Sequence, residues 1–179
     1  MGTRTSLSLV VPPPSSGHLF SGPVFIYSFC CFLCHLQAGL SALHYAAAAD
    51  NWGVVGILLD HGADAAAVDS RGNTALHYAA SFNSYTATTR LLEKAELALS
   101  NINQLNYRGK APIHLAAAPG SFQAVPRPIV PALALEALLM HHANPMARDR
   151  SGNTPLHLAS RGGYVEIVRR LVALTGAPP

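Results

Sequence analysis

A four-residue pattern ending in histidine occurs four times in this chain of 179 residues and constrains the fold more than any other feature. The copies are Ser41-Ala42-Leu43-His44, Thr74-Ala75-Leu76-His77, Ala111-Pro112-Ile113-His114 and Thr154-Pro155-Leu156-His157. Their histidines lie 33, 37 and 43 residues apart, and alanine-rich stretches follow them. A unit of this length cannot bury its apolar face alone, so such units stack and share one core.

An aliphatic residue late in each unit gives the same period. It follows the motif histidine by 14 residues at Leu58, Leu91 and Leu171, and by 24 residues at Leu138. The third unit therefore carries ten extra residues, in the proline-rich stretch 119–131. Insertions in repeat proteins usually form surface loops, and this one is either a stiff loop or a docking peptide.

Local signals predict a pair of helices in each unit. Thr74 and Thr154 suit the cap of a first helix, and Pro112 and Pro155 suit its first turn, where a missing N–H costs nothing. We predict that the first helix ends at a left-handed residue six positions after the histidine. These predicted end residues are Asp50, Asn83 and Gly163.

Short turns precede three of the four motifs. They are Asp69-Ser70-Arg71-Gly72, Asn106-Tyr107-Arg108-Gly109 and Asp149-Arg150-Ser151-Gly152. With the tetrapeptide and the spacing near 33, the sequence resembles the ankyrin-repeat family, whose signature is T-P-L-H-x-A. Three features are also similar to arrays of the inhibitor-of-NF-kappa-B type. They are four extra residues after the second helix of the second unit, the turn Asn106-Tyr107-Arg108-Gly109, and the stretch Asn144-Pro145-Met146-Ala147-Arg148-Asp149.

The resemblance implies an all-α ankyrin-repeat solenoid of stacked helix-turn-helix units with short β-turn fingers. We expect it over residues 39–177, with repeats at 39–71, 72–108, 109–151 and 152–177. Residues 1–38 are expected to form a poorly ordered or apolar N-terminal extension. In this family the motif histidine hydrogen-bonds within the framework, which implies a structural role for His44, His77, His114 and His157.

The resemblance also implies a function, because ankyrin arrays mostly bind other proteins and do no chemistry. The family's contact surface is formed by the finger tips and the exposed face of the first helices. By position, the candidate partner-binding residues are Ser70, Arg71, Asn73, Ser81, Phe82, Tyr107, Arg108, Lys110, Arg150, Ser151, Asn153 and Arg161. The basic residues among them suit a partner with an acidic segment. We expect a non-catalytic adaptor, scaffold or inhibitor in the cytoplasm, or alternatively in the nucleus.

Composition and motifs argue against other functional classes. The net charge of +3 is too small for a general nucleic-acid binder. No catalytic residue, metal site or cofactor is predicted, since His141-His142 has no cysteine or carboxylate at ligand spacing. The stretch Cys31-Phe32-Leu33-Cys34-His35 matches a haem-attachment pattern, but no haem-binding domain surrounds it.

The first 38 residues leave several readings open. Met1-Gly2-Thr3-Arg4-Thr5-Ser6 matches the N-myristoylation pattern, and cysteines at 30, 31 and 34 could carry a second lipid that tethers the array to a membrane. Residues 4–38 could instead be a secretory signal. The apolar run from Val24 to Leu36 could also cover one end of the array. Alternatively, the chain could be a fragment of a larger ankyrin-containing signalling protein or enzyme.

Overall fold

The computed structural model describes residues 39–94, 102–118 and 132–176. In these ranges the chain forms eight helices and no strand. The helices are α1 (Ala42–Ala48), α2 (Trp52–Asp60), α3 (Ala75–Ser81), α4 (Tyr85–Lys94), α5 (Pro112–Ala116), α6 (Leu133–Met140), α7 (Pro155–Gly162) and α8 (Val165–Thr175). The predicted N-terminal extension and the proline-rich stretch 119–131 lie outside the described residues.

The helices alternate between two stacks. The first helices of the repeats, α1, α3, α5 and α7, contact one another in chain order, and the second helices α2, α4 and α6 do the same beside them. Arg170 of α8 continues the second stack through an ion pair with Glu136 of α6 at 2.7 Å. The all-α solenoid expected from the sequence is confirmed.

The motif residues begin the first helices as predicted. Ser41, Thr74, Ala111 and Thr154 are the extended N-cap residues, and Pro112 and Pro155 occupy the first turn of their helices. Ala111 lacks the hydroxyl that at Ser41, Thr74 and Thr154 lies 2.7 to 2.9 Å from Nδ1 of the motif histidine. At all four sites the histidine three residues on accepts the N-cap backbone N–H.

The predicted left-handed residues end three first helices, and two of them also join consecutive repeats. Asp50, Asn83 and Gly163 have φ of 57°, 54° and 71°. Asp50 Oδ1 accepts the N–H of Ala87 at 2.9 Å, and Asn83 Oδ1 accepts that of Ala134 at 3.0 Å. The side chains of Asp50 and Asn83 therefore each bond a backbone N–H in the first turn of the next repeat's second helix, and that N–H would otherwise lack a partner. A glycine at these positions would supply the turn but lose this bond.

The core runs between the two stacks as one continuous cluster. Alanines make the first helices thin: Ala47, Ala79, Ala80, Ala117 and Ala159 are all fully enclosed. Leu43, Ile113, Leu135, Leu138 and Leu171 fill the space towards the second helices. None of the helices in the described ranges has the length and apolar character needed to cross a bilayer.

Three short turns, hereafter the first, second and third fingers, connect consecutive repeats. They comprise residues 69–73, 106–110 and 149–153. In each finger the N–H of the first residue bonds the carbonyl of the fifth, and the glycine N–H bonds the carbonyl of the first. Gly72, Gly109 and Gly152 have φ between 70° and 78°, the left-handed region that closes the turn.

Candidate functional site

Each finger is held by the side chain of its first residue. Asp69 Oδ1 accepts the backbone N–H of Arg71 at 2.8 Å and that of Asn73 at 2.7 Å. Asp149 makes the two equivalent bonds in the third finger, both at 2.9 Å. These carboxylates tie down the backbone beneath the tip, so the tip residues project from a fixed turn.

Burial and hydrogen bonding act in opposite directions on Asp69. Burial raises its pKa, but bonds from the Tyr78 hydroxyl, Asn73 and the Arg71 N–H together outweigh burial and hold the pKa below its ordinary value. Burial and the same 2.7 Å bond raise the pKa of Tyr78. Asp69 is therefore ionised at neutral pH and serves as an acceptor for the finger.

The second finger begins with Asn106, whose amide links two fingers. Its Oδ1 accepts the N–H groups of Arg108 and Lys110 at 3.0 Å each. Its Nδ2 donates to Asn73 Oδ1 at 2.8 Å, while Asn73 Nδ2 donates to Asp69 Oδ2 at 3.1 Å. The first and second fingers thus share one buried polar chain. An aspartate at position 106 would have no donor for the Asn73 oxygen.

The motif histidines connect each repeat to the next finger. Nδ1 of His44, His77 and His114 accepts the N-cap N–H of its own helix at 3.0 to 3.1 Å. Nε2 of each ring lies 3.0 Å from a carbonyl oxygen further along the chain, and these oxygens belong to Asn73, Lys110 and Ala147. Because Nδ1 accepts, Nε2 must carry the ring proton and donate it to the carbonyl.

These three rings are held neutral. Burial lowers the pKa of His44 and His114, and lowers that of His77 from 6.5 to about 4. A second proton would have to sit on Nδ1, where it would face an N–H donor. His157 differs, since its ring is exposed and no partner for its Nε2 is found in the described part of the chain.

Neighbouring fingers lie in direct contact at their glycines. A Cβ on Gly72 would come within 2.7 Å of the Tyr107 ring, and one on Gly109 within 2.5 Å of Arg150 Cγ. The Tyr107 N–H also donates to the Arg71 carbonyl at 3.0 Å. Because Gly72 and Gly109 have no side chain, Tyr107 and Arg150 can lie on the backbone of the finger that precedes their own.

A groove of about 470 Å³ lies between the second and third fingers. Tyr107 of the second finger and Leu105 directly before that finger line one side and are 60% and 52% exposed. Arg150 of the third finger and Arg148 directly before it line the other side. The prediction missed Leu105 and Arg148. In an extended segment, residues two apart lie on one face, so Leu105 could have been expected beside Tyr107 and Arg148 beside Arg150.

Most of the predicted contact residues are accessible, but two are not. Ser70, Arg71, Tyr107, Arg108, Arg150, Ser151 and Arg161 are exposed, and Phe82, Lys110 and Asn153 are half-buried. Asn73 and Ser81 are fully buried, so the expectation that they contact a partner is wrong. The Asn73 amide is engaged in the buried hydrogen bonds that link the first and second fingers. Ser81 lies in α3, which packs between α1 and α5. Whether the exposed residues bind a partner stays a prediction.

The described residues contain no cluster of three or more histidine, cysteine, aspartate or glutamate side chains that could hold a metal ion. The buried histidines use both ring nitrogens in hydrogen bonds to the chain itself. This arrangement gives them the role of cross-links between repeats.

Comparison with known proteins identifies the family. The model for ankyrin repeats matches three times, at residues 25–101, 43–127 and 95–178. The chain belongs to the ankyrin-repeat family. It is 29% identical, over 77% of its length, to the B-cell lymphoma 3 protein homolog of Mus musculus. It is 30% identical over 122 residues, 68% of its length, to the tyrosine-protein kinase HTK16 of Hydra vulgaris.

The chain spans 36% of the mouse relative and 14% of the Hydra relative. It spans 85% of a shorter relative, the putative ankyrin repeat protein FPV223 of fowlpox virus, at 27% identity over 136 residues, 76% of the chain. Ankyrin repeats are protein–protein interaction modules, typically without catalytic activity, and this general function applies to the array described here.

Proposed function

We propose that this ankyrin array is a non-catalytic adaptor or regulator that binds an acidic protein segment carrying an apolar anchor. The observation that carries the proposal is the groove between the second and third fingers. Its second-finger side offers the exposed apolar surface of Leu105 and Tyr107, and its third-finger side offers Arg148 and Arg150. Aromatic and arginine side chains together are typical of the residues that dominate protein interfaces.

The charge balance of the groove supports an anionic occupant. Among the described residues, the groove arginines Arg148 and Arg150 form no ion pair with a carboxylate, and neither does Arg108 beside the groove at the tip of the second finger. Asp149 is the acidic residue of the groove, but its carboxylate is buried and engaged by the amide groups of its own finger. The exposed charge facing a partner is therefore positive, which favours acidic partners and disfavours basic ones.

The rigidity of the fingers supports affinity without a large contact area. Tyr107 is fixed from behind by its backbone bond to Arg71 and by contact with Gly72. Arg150 lies against Gly109, so its stem is positioned while its head remains in solvent. Side chains that are already positioned lose less entropy on binding than freely rotating ones.

Selection from a displayed peptide library tests the proposal without knowledge of the natural partner. We expect captured peptides to be enriched in aspartate or glutamate next to an aromatic or long aliphatic residue. Arg150→Glu and Arg108→Glu should each weaken binding of such a peptide at least about tenfold at low salt. The matched control is Arg169→Glu, which reverses the same charge at an exposed position on α8.

Tyr107→Ala tests the apolar half of the site. We expect it to weaken binding by about 2 kcal/mol, as for other aromatic residues at the centre of an interface, with less dependence on salt than the arginine variants. Peptides without acidic enrichment, or affinities that Arg108→Glu and Arg150→Glu leave unchanged while circular dichroism reports folded protein, would contradict the proposal.

A further inference from the structure

Three positions of the repeat are buried in the later repeats but exposed in the first. Tyr45 is 36% exposed, whereas Tyr78, Leu115 and Leu158 at the same position are at most 5% exposed. Val54 is 40% exposed, whereas Ala87, Ala134 and Ile167 at its position are also at most 5% exposed. Ala42 is exposed although its equivalents Ala75, Pro112 and Pro155 are buried. Ile57 is 60% exposed, while among its equivalents Ala137 is buried, Arg90 is half-buried and Arg170 is exposed.

Contacts inside the array show which way these positions face. Arg90, the equivalent of Ile57, approaches Gly56 so closely that a Cβ there would lie 3.2 Å from its Nε. The N–H of Ala87, the equivalent of Val54, bonds Asp50 of the repeat before it. Both positions therefore face the preceding repeat. Ala42, Tyr45, Val54 and Ile57 form the corresponding surface of the first repeat, hereafter the N-terminal face.

The N-terminal face carries no charged side chain, so it suits an apolar occupant. The repeat period points to one in this chain. Leu58 precedes His77 by 19 residues, and the same step back from His44 reaches Phe25. The ankyrin family model independently begins its first match at residue 25. Residues 25–38 end directly before Gly39, where the first repeat starts.

We propose that residues 25–38 seat on the N-terminal face, in the place that the preceding repeat occupies on each later repeat. The segment is rich in apolar side chains, including Phe25, Ile26, Phe29 and Phe32. Its occupation of the face removes two apolar surfaces from water at once. Apolar side chains used in this way are not available to a bilayer, so the proposal opposes membrane tethering by the same residues.

The three cysteines of the chain offer a direct probe, because all of them, at positions 30, 31 and 34, lie in this segment. The experiment measures the rate at which a thiol reagent modifies the full-length reduced protein, native and in denaturant. We expect slow modification in the native state. Val54→Glu and Ile57→Glu place a charge under the segment and should accelerate modification at least about tenfold by weakening apolar burial. Met140→Glu is the control, since Met140 is 76% exposed and lies on α6, away from this face.

The outcomes separate the possible occupants. Protection in the wild type that is lost in both glutamate variants, but kept in Met140→Glu, supports the proposal, provided circular dichroism shows all proteins folded. Wild-type thiols that react as fast as in denaturant overturn it, as do rates that Val54→Glu and Ile57→Glu do not change. Protection that disappears on dilution identifies a second copy of the chain on the face. Protection that requires added phospholipid vesicles identifies a bilayer, and both of these results also overturn the proposal.

Discussion

His77 makes the stability of the array depend on pH in a direction that the structure determines. Its ring is fully buried, with Nδ1 accepting the Thr74 N–H at 3.1 Å and Nε2 donating to the Lys110 carbonyl at 3.0 Å. Burial lowers its folded-state pKa from 6.5 to about 4. The unfolded chain therefore takes up a proton before the folded chain does. The stability contributed by the neutral ring is fully present above pH 6.5 and is lost as pH falls towards 4.

The size of the effect follows from the two pKa values. As pH falls from 7 to 5, protonation of this ring in the unfolded chain lowers the free energy of unfolding by about 2 kcal/mol. The variant His77→Gln has no proton to gain in this range. At pH 7 it should be less stable than the wild type by about 2 kcal/mol, because a buried partner loses its bond. At pH 5 we expect that difference nearly to vanish. His44 and His114 are present in both proteins and contribute to the stability of each.

Urea unfolding followed by far-ultraviolet circular dichroism at pH 7, 6 and 5 measures the difference. His157→Gln changes the same motif where the ring is exposed, so it reports the cost of the substitution outside the stack. Nuclear magnetic resonance of the wild-type ring protons gives the His77 pKa directly and does not depend on the stability of a variant. A stability difference between wild type and His77→Gln that stays constant from pH 7 to pH 5, or a ring that titrates near 6.5, would refute the reasoning.

Two further substitutions test the fingers, and each has a matched control. Asn106→Asp removes the donor to the Asn73 oxygen and should lower the free energy of unfolding by about 2 kcal/mol. Asn103→Asp adds the same charge, but the exposed Asn103 is only an acceptor, from an N–H at 3.0 Å, so its effect should stay within about 0.5 kcal/mol. Gly109→Ala causes backbone strain in the left-handed region and also a steric overlap of the new Cβ with the next finger. Gly152→Ala causes only the backbone strain, because φ is 78° and no atom lies within 4 Å of an added Cβ. Thermal melts should therefore place Gly109→Ala at least about 1 kcal/mol below Gly152→Ala, and equal losses in the two variants would mean that the fingers do not press on one another.

The features that depend on chemistry within one repeat could be predicted from the sequence. The proline at the first helical turn and the left-handed Asp50 and Asn83 follow from the preferences of single residues, and the structure has them where the spacing puts them. The second role of Asp50 was not predictable in this way. Its bond to Ala87 joins residues 37 apart, and a pattern read along one repeat carries no information about that partner.

The wrong expectation for Asn73 has the same physical origin. A polar residue directly after the glycine of a turn is typical of a solvent-exposed tip, and nothing within the first finger alone argues against that interpretation. Stacking changes it, because the second finger brings Asn106 within 2.8 Å and encloses both amides. Comparison of the three fingers offered one clue, since the second begins with asparagine where the other two begin with aspartate. Asparagine is needed at position 106 because Asn73 Oδ1 of the first finger requires a hydrogen-bond donor, which an aspartate would not supply.

The second finger differs most in sequence from the other two and is also the best-secured part of the candidate site. The Asn106 amide ties it to the first finger, and Arg150 of the third finger lies over its glycine. Tyr107 is consequently held from both sides although it is 60% exposed. Substitutions beneath the finger should therefore weaken partner binding by disordering Tyr107, whereas substitutions at the tip change the contact itself. Measuring affinity and stability together on Asn106→Asp and Tyr107→Ala separates the two effects, because only the first variant should lower both.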